Sequence, residues 1–313
     1  MANDRFSLPY CLSTIQISCT KQVTQFTQNE NRRSANYQTN QWTHELVQSL
    51  GNHLVETLQE RAKKLEENVQ LMINGMDMDS LNLLELVDDI NRLGLSNLLH
   101  EDINKAIDRI VSIEYLKDQT EKSLHETALL FRILTQHGFH VSQGANMFKS
   151  FKDEEKEFKA EISNGVHGML SVYEASYLTF EGESLCEANT SSRTHLINLM
   201  KEGMKAKVTE QVRHALEGLP CHQSFHILEA QQYIDTYDKT KSHNLLLLKL
   251  ATLYFNLVQS SHKKELKETS RWWRDFNLTS KLNFTRDILV ETFFWLLRIF
   301  SESRFANYHR KTH

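Results

Sequence analysis

Apolar residues along most of this chain return every three or four positions. Between Asp79 and Leu95, Leu83, Leu86, Val87, Ile90 and Leu93 recur at this spacing. At 3.6 residues per turn these fall on one face of a helix. Asp79 or Ser80 stands where a side-chain oxygen can accept from the free N–H groups of a first turn. Gly94 stands where a left-handed residue closes a helix, and Arg92 faces the negative helix end. The same periodicity recurs at 54–73, 103–116, 123–137, 193–216, 225–237, 244–268 and 285–300. Turn residues separate these stretches: Asn74-Gly75, Gly138 to Gly144, Asn164-Gly165, Glu181-Gly182 and Gly218 to Pro220. The pattern predicts an all-α chain of many helices joined by short loops, with no fixed-period repeat. A polar stretch from Asp238 to His243 is the best candidate for a domain boundary.

Composition sharpens this picture. The 313 residues include two prolines, Pro9 and Pro220, and ten glycines. None of either follows Pro220, so the last third has few backbone breakers. Apolar content of 40% and charged content of 24% are ordinary for a globular protein. A net charge of −4 gives no support for a nucleic-acid partner. No run is long and apolar enough to cross a bilayer, which argues against a membrane partner. Leu245 to Val258 is interrupted by Lys249 and Asn256, and Leu289 to Phe300 carries Glu291 and Arg298. Cys11, Cys19, Cys186 and Cys221 have no CxxC spacing and read as reduced thiols. Residues 1–31 are rich in hydroxyl side chains and lack the apolar core of a secretory signal. They read as a plastid transit peptide or as a disordered cytosolic arm, which leaves both compartments open.

Most candidate chemistry fails on spacing. Asp88-Asp89 is the one Asp-Asp pair, and Arg92 stands where a DDxxD motif would place its last carboxylate. It reads as a solvated helix face. Asp77-Met78-Asp79-Ser80 lacks the final acid of a DxDD proton donor and reads as a loop and helix cap. His222 and His226 have zinc-helix spacing, but Gln223 replaces the glutamate of HExxH. No metal ligand set and no catalytic residue is assigned. Two clusters remain. Arg32-Arg33 precedes Trp42 by a short arm. Arg271-Trp272-Trp273-Arg274, with Arg286 beyond, places guanidiniums and indoles in one helical region. Indole faces suit a cation and arginine suits a phosphate, while core packing alone would also account for them.

The wording of several segments is more specific. Arg32-Arg33 to Trp42 fits RR(x8)W. Leu86 to Leu95 resembles "IDxLxRLGI", and Phe131 to Phe139 resembles "FRLLRQHGY". Phe148 to Phe158 is similar to "FKDExGxF", and Gly168 to Tyr177 to "GMLSLYEASH". Ser270 to Asp275 is similar to "SRWWKD", and Phe284 to Glu291 to "FARDRLVE". In this order over about 31–305, the chain resembles the class I plant terpene synthases of the monoterpene type.

The resemblance implies an N-terminal helical barrel-like domain over 32–240. Residues 241–313 would begin the class I metal-binding domain. The implied activity is that of a carbon–oxygen lyase of isoprenoid biosynthesis, acting on geranyl or farnesyl diphosphate with Mg²⁺ or Mn²⁺. Arg271, Arg286, Trp272, Trp273 and Trp295 match positions near the diphosphate and the pocket. Arg32, Arg33 and Trp42 match the arm that caps it. Departures are equally specific. Neither DDxxD nor the second metal motif occurs, so this chain is expected to hold no metal. Ile288 replaces the second arginine of RxR, and Gln231 and Gln232 replace the Arg and Trp of "LEARWY". The expectation is therefore a truncated, inactive family member. The rival is a non-catalytic helical module that binds a partner such as a full-length synthase. Either form would expose its last helices to self-association.

Overall fold

The computed structural model describes residues 41–51, 55–75, 78–116, 122–139, 148–154, 158–159, 165–178, 185–203, 206–218, 226–239, 244–277, 281 and 287–301. Among these the chain is helical. One isolated antiparallel bridge, Lys152 to Phe158, is the extent of extended pairing. The helices are α1 (His44–Ser49), α2 (Val55–Ile73), α3 (Ser80–Arg92), α4 (His100–Leu116), α5 (Leu124–Gln136), α6 (Val166–Ala175), α7 (Cys186–Glu202), α8 (Ala206–Glu217), α9 (His226–Asp238), α10 (Leu245–Phe276) and α11 (Leu289–Ser301).

The ends obey local chemistry. Asp79 caps α3, its Oδ1 accepting from Asn82 N–H at 2.8 Å. Ser123 caps α5 and Asn244 caps α10 in the same way. Gly94 follows α3 at φ +75°, as its position predicts. The periodic stretch 193–216 is not one helix. Gly203 sits at φ +95° and separates α7 from α8, a backbone conformation that a residue without Cβ adopts at little cost.

Two cores share one helix. The first is built from α2, α3, α4, α9 and the opening turns of α10, where Leu247, Leu250 and Ala251 are buried. The second is built from α6, α7 and α8. Helix α5 stands between them. Its Leu129, Leu130 and Ile133 enter the first core, and Leu124, Ala128 and Phe131 enter the second. A small third cluster joins Val47 of α1, Leu266 of α10 and Val290 of α11. Thus α10 starts in the first core and ends against α1 and α11.

Candidate functional site

Trp42 and the end of the 270–274 segment meet at the far end of α10. A cleft of about 160 Å³ lies there, lined by Trp42, His44, Ser270, Trp273, Arg274, Asn277 and Asp287, with Val47 and Leu289 beneath. Its lining comes from three separated segments: the approach to α1, the last turns of α10, and the entry to α11. Three hydrogen bonds fix α1 on α10. His44 Nδ1 lies 2.8 Å from Ser270 Oγ, Gln48 Nε2 donates to Lys267 O at 2.9 Å, and Arg271 Nε donates to Gln48 Oε1 at 3.1 Å. Asp287 Oδ1 accepts from Leu289 N–H at 3.4 Å and so starts α11.

The predicted site residues divide. Trp42 and Trp273 line the cleft, and Arg271 braces its wall. Trp272 turns outward, 58% exposed, and stacks on Phe276 at 5.4 Å. Lys281 Nζ sits 4.7 Å from the centre of the Phe276 ring. Trp295 is 58% exposed on α11 and does not line the cleft. Arg32, Arg33 and Arg286 lie outside the described residues, as do His222 and the four cysteine side chains. Sequence reasoning missed His44, Asn277 and Asp287. Their signal was adjacency: His44 and Asn277 stand two residues beyond Trp42 and Asp275, and Asp287 lies within the Phe284 to Glu291 segment.

The Asp88-Asp89 pair is not a solvated face. Asp88 Oδ2 accepts from Arg92 Nε at 2.9 Å and lies 2.7 Å from an Arg132 guanidinium nitrogen. Glu174 of α6 pairs with Arg92 and reaches Arg132 at 3.7 Å. Arg132 is 4% exposed. Burial pushes the Asp88 carboxyl up, but Arg132 and then Arg92 outweigh it and hold Asp88 well below the usual carboxylate range. Asp89 differs. Its Oδ1 accepts from Tyr233 O–H at 2.8 Å, the Tyr237 hydroxyl bonds it too, and burial pushes it up to about 6. A divalent ion needs free carboxylate oxygens on one face. Here Asp88 Oδ2 is committed to two guanidiniums and Asp89 Oδ1 to a phenol, and Asp88 Oδ1, which has no hydrogen-bond partner among the described residues, is buried beside the same two arginines, so the pair does not fit Mg²⁺. Among the described residues, no three His, Cys, Asp or Glu side chains gather as a metal site requires.

Likeness to known proteins decides the family. Residues 41–216 match the model of the terpene synthase N-terminal domain. The chain belongs to the terpene synthase family. It is 52% identical over 287 residues to a chloroplastic isoprene synthase of Pueraria montana var. lobata, covering 91% of this chain and 46% of that one. The crystal structure of isoprene synthase from grey poplar leaves (Populus x canescens), in complex with three Mg²⁺ ions and dimethylallyl-S-thiolodiphosphate, superposes with a TM-score of 0.71. Its identity is 43%, over 82% of this chain and 47% of that one. A limonene synthase crystallised with 2-fluorolinalyl diphosphate superposes with a TM-score of 0.79 at 35% identity, over 86% and 50%. The chain thus spans about half the length of the relatives it matches. The all-α terpene synthase fold holds for it, and no helix among the described residues is long and apolar enough to cross a membrane.

Proposed function

We propose that residues 1–313 are the arm-bearing portion of a plastid prenyl-diphosphate lyase, and that alone they are catalytically silent. On this reading 32–240 form its N-terminal helical domain, and residues from 241 open its catalytic domain. One observation carries the reading: Trp42 of the RR(x8)W arm meets Ser270, Trp273 and Arg274 of the SRWW segment in one cleft, some 230 residues apart in sequence. Such a cleft can exclude water and place guanidinium and indole beside a diphosphate as it departs. Arg271 and Arg286 would stand on the diphosphate side, with Arg32 and Arg33 on the cap. The named relatives make dimethylallyl diphosphate the first substrate to test, ahead of geranyl and farnesyl diphosphate. Among the described residues no carboxylate set is placed to hold Mg²⁺ or Mn²⁺. The one Asp-Asp pair in them is occupied within the fold.

Gas chromatography tests this. Purified residues 1–313, given any of the three diphosphates with Mg²⁺ or Mn²⁺, should yield no hydrocarbon above a heat-killed control. The same residues joined to the remainder of the Pueraria isoprene synthase should yield a metal-dependent product. In that fusion Ile288→Arg should raise turnover, because a donor to the developing charge is typically worth about a hundredfold or more. A metal-dependent product from residues 1–313 alone would overturn the silent reading. An inactive fusion whose turnover Ile288→Arg leaves unchanged would overturn the lyase reading.

A second reading has its own support. Trp272, near the end of α10, and Phe294, Trp295 and Leu296, midway along α11, are 43–58% exposed. These residues suit a helical module that associates with a second copy or with a full-length synthase.

A further inference from the structure

The cluster around Asp88 and Asp89 has an unbalanced charge. Helix α3 brings Asp88, Asp89 and Arg92, α5 brings Arg132, and α6 brings Glu174. Among the described residues, two guanidiniums therefore face three carboxylates. Asp88 and Glu174 each meet a guanidinium directly. Asp89 does not: its partners are the hydroxyls of Tyr233 and Tyr237 on α9. Phenols donate hydrogen bonds but bring no positive charge, and a net anion out of water is costly. A single proton restores neutrality, and Asp89 is the carboxylate placed to take it.

What Asp89 holds makes that proton consequential. The Tyr237 hydroxyl that bonds Asp89 also accepts from Asn244 N–H at 3.1 Å. Asn244 is the cap of α10; its Oδ1 accepts from Leu246 N–H at 2.9 Å and its Nδ2 lies 2.9 Å from Met72 Sδ of α2. Arg92 lies 5.6 Å from the centre of the Tyr233 ring. A continuous polar path thus runs from α3 through α9 to the start of the helix that carries the cleft. Helix α4, packed on α3, contributes Ile103, Ile107 and Ile110 to the shared core. One turn nearer the start of α3, Glu85 pairs with His125 of α5 at 3.3 Å.

We propose that Asp89 is a proton-operated latch: neutral, it seats α9 and the cap of α10 on α3, and ionised, it loosens that seat. The direction follows from linkage. Burial raises Asp89 to about 6 in the fold, against about 3.9 for an exposed aspartate. The stabilisation is therefore complete below about pH 4 and is lost as pH rises through about 6.

Hydrogen exchange on the full chain tests the latch, with rates expressed as protection factors so that intrinsic pH effects cancel. For peptides covering 226–238 and 244–250, protection should fall at least about tenfold between pH 5 and pH 7.5, the worth of one pH unit in proton affinity. Asp89→Asn should abolish that fall and match or exceed the wild type at pH 7.5. His125→Gln should leave the fall in place. Tyr237→Phe removes a hydroxyl that favours the ionised form, so it should move the midpoint to higher pH. Should Asp89→Asn not fold, the Asp89 carboxyl carbon can be titrated by NMR in the wild type, with an expected midpoint above 5. The proposal is overturned if Asp89→Asn keeps the wild-type profile, if His125→Gln removes it, if Tyr237→Phe leaves the midpoint where it was, or if the carboxyl titrates below 5.

Discussion

Arg132 shows how one residue can bind two layers. It lies in a helix whose positions 127 to 133 are all buried, and its own exposure is 4%. Such a guanidinium is tolerable because Asp88 and Glu174 neutralise it from two other helices. Asp88→Ala should therefore cost about 3–5 kcal/mol in urea unfolding at pH 7, the usual cost of stranding a buried charge. Adding Arg132→Met should return part of that loss. A single-variant cost below about 1 kcal/mol would mean that water reaches the guanidinium. The pH dependence has the opposite sign to that of Asp89. Asp88 is held below its ordinary value, so its stabilisation is present above about pH 4 and is lost as the solution becomes more acid. Melts at pH 7 and pH 3 should show a smaller acid loss for Asp88→Ala than for the wild type. The periodicity of α3 correctly placed Leu83, Leu86, Val87 and Ile90 inside. It could not show that α5 and α6 cover the adjoining stripe, since one helix's pattern reports a single burial surface. Arg132, set among Phe131 and Ile133, was the readable sign that an acidic partner had to be buried nearby.

At the scale of elements, the junction of α3 and α9 depends on a missing side chain. A Cβ on Gly94 would lie 2.8 Å from the Ala230 Cβ of α9, and the backbone there is left-handed at φ +75°. Gly94→Ala should be destabilising by roughly 2 kcal/mol or more, from left-handed backbone strain together with overpacking. Ala230→Gly in the same chain should recover the packing share and leave the strain. If thermal unfolding shows no recovery, the close approach is not what limits this position. Element boundaries were readable where caps and breakers coincide, as at Asp79 and Gly94. They failed where the signals are ambiguous. Gly203 lies inside a continuous apolar period, and a single glycine there fits a helix interior as well as a break. Helix α6 was visible by its resemblance rather than by its period. Met169, Ser171, Val172, Tyr173 and Ala175 are all buried, so it has no polar stripe to set the phase. Helix α10 runs to Phe276, beyond the 244–268 stretch; the burial period does not mark its last turns, where Trp272 and Phe276 stand exposed.

At the scale of the molecule, several large apolar side chains stand exposed on the last turns of α10 and on α11. Phe276, Phe294 and Leu296 are 43–49% exposed beside the more open Trp272 and Trp295, and each large apolar side chain left in water forgoes about 1.5–3 kcal/mol of burial. Purified residues 1–313 should therefore associate in a concentration-dependent way and bind a hydrophobic dye. The triple variant Trp272→Gln, Phe294→Gln, Trp295→Gln should reduce both by severalfold in light scattering and fluorescence. A wild-type protein that stays monomeric and dye-free would refute the expectation. Motif phrasing put Trp42 and Trp273 near one site, while Asp287, which shares their cleft, carried no such assignment. Their geometry was not legible, because nothing local in the sequence places α1 against the end of a helix 230 residues away.

That helix has a mechanical consequence. Its 32 residues make a rod about 48 Å long at 1.5 Å rise per residue. Its origin is pinned at Asn244, and its working end is near Ser270, roughly 39 Å away on the same rise. A rod of that length multiplies small rotations. A tilt of about 3° at Asn244 would sweep the Ser270 end through roughly 2 Å, comparable to the helix shifts of 1–2 Å by which packed proteins switch. The three hydrogen bonds from α1 at the far end then act as a stop against that sweep. A substitution in the first core, far from the cleft, can thus change the cleft's width without touching any residue that lines it.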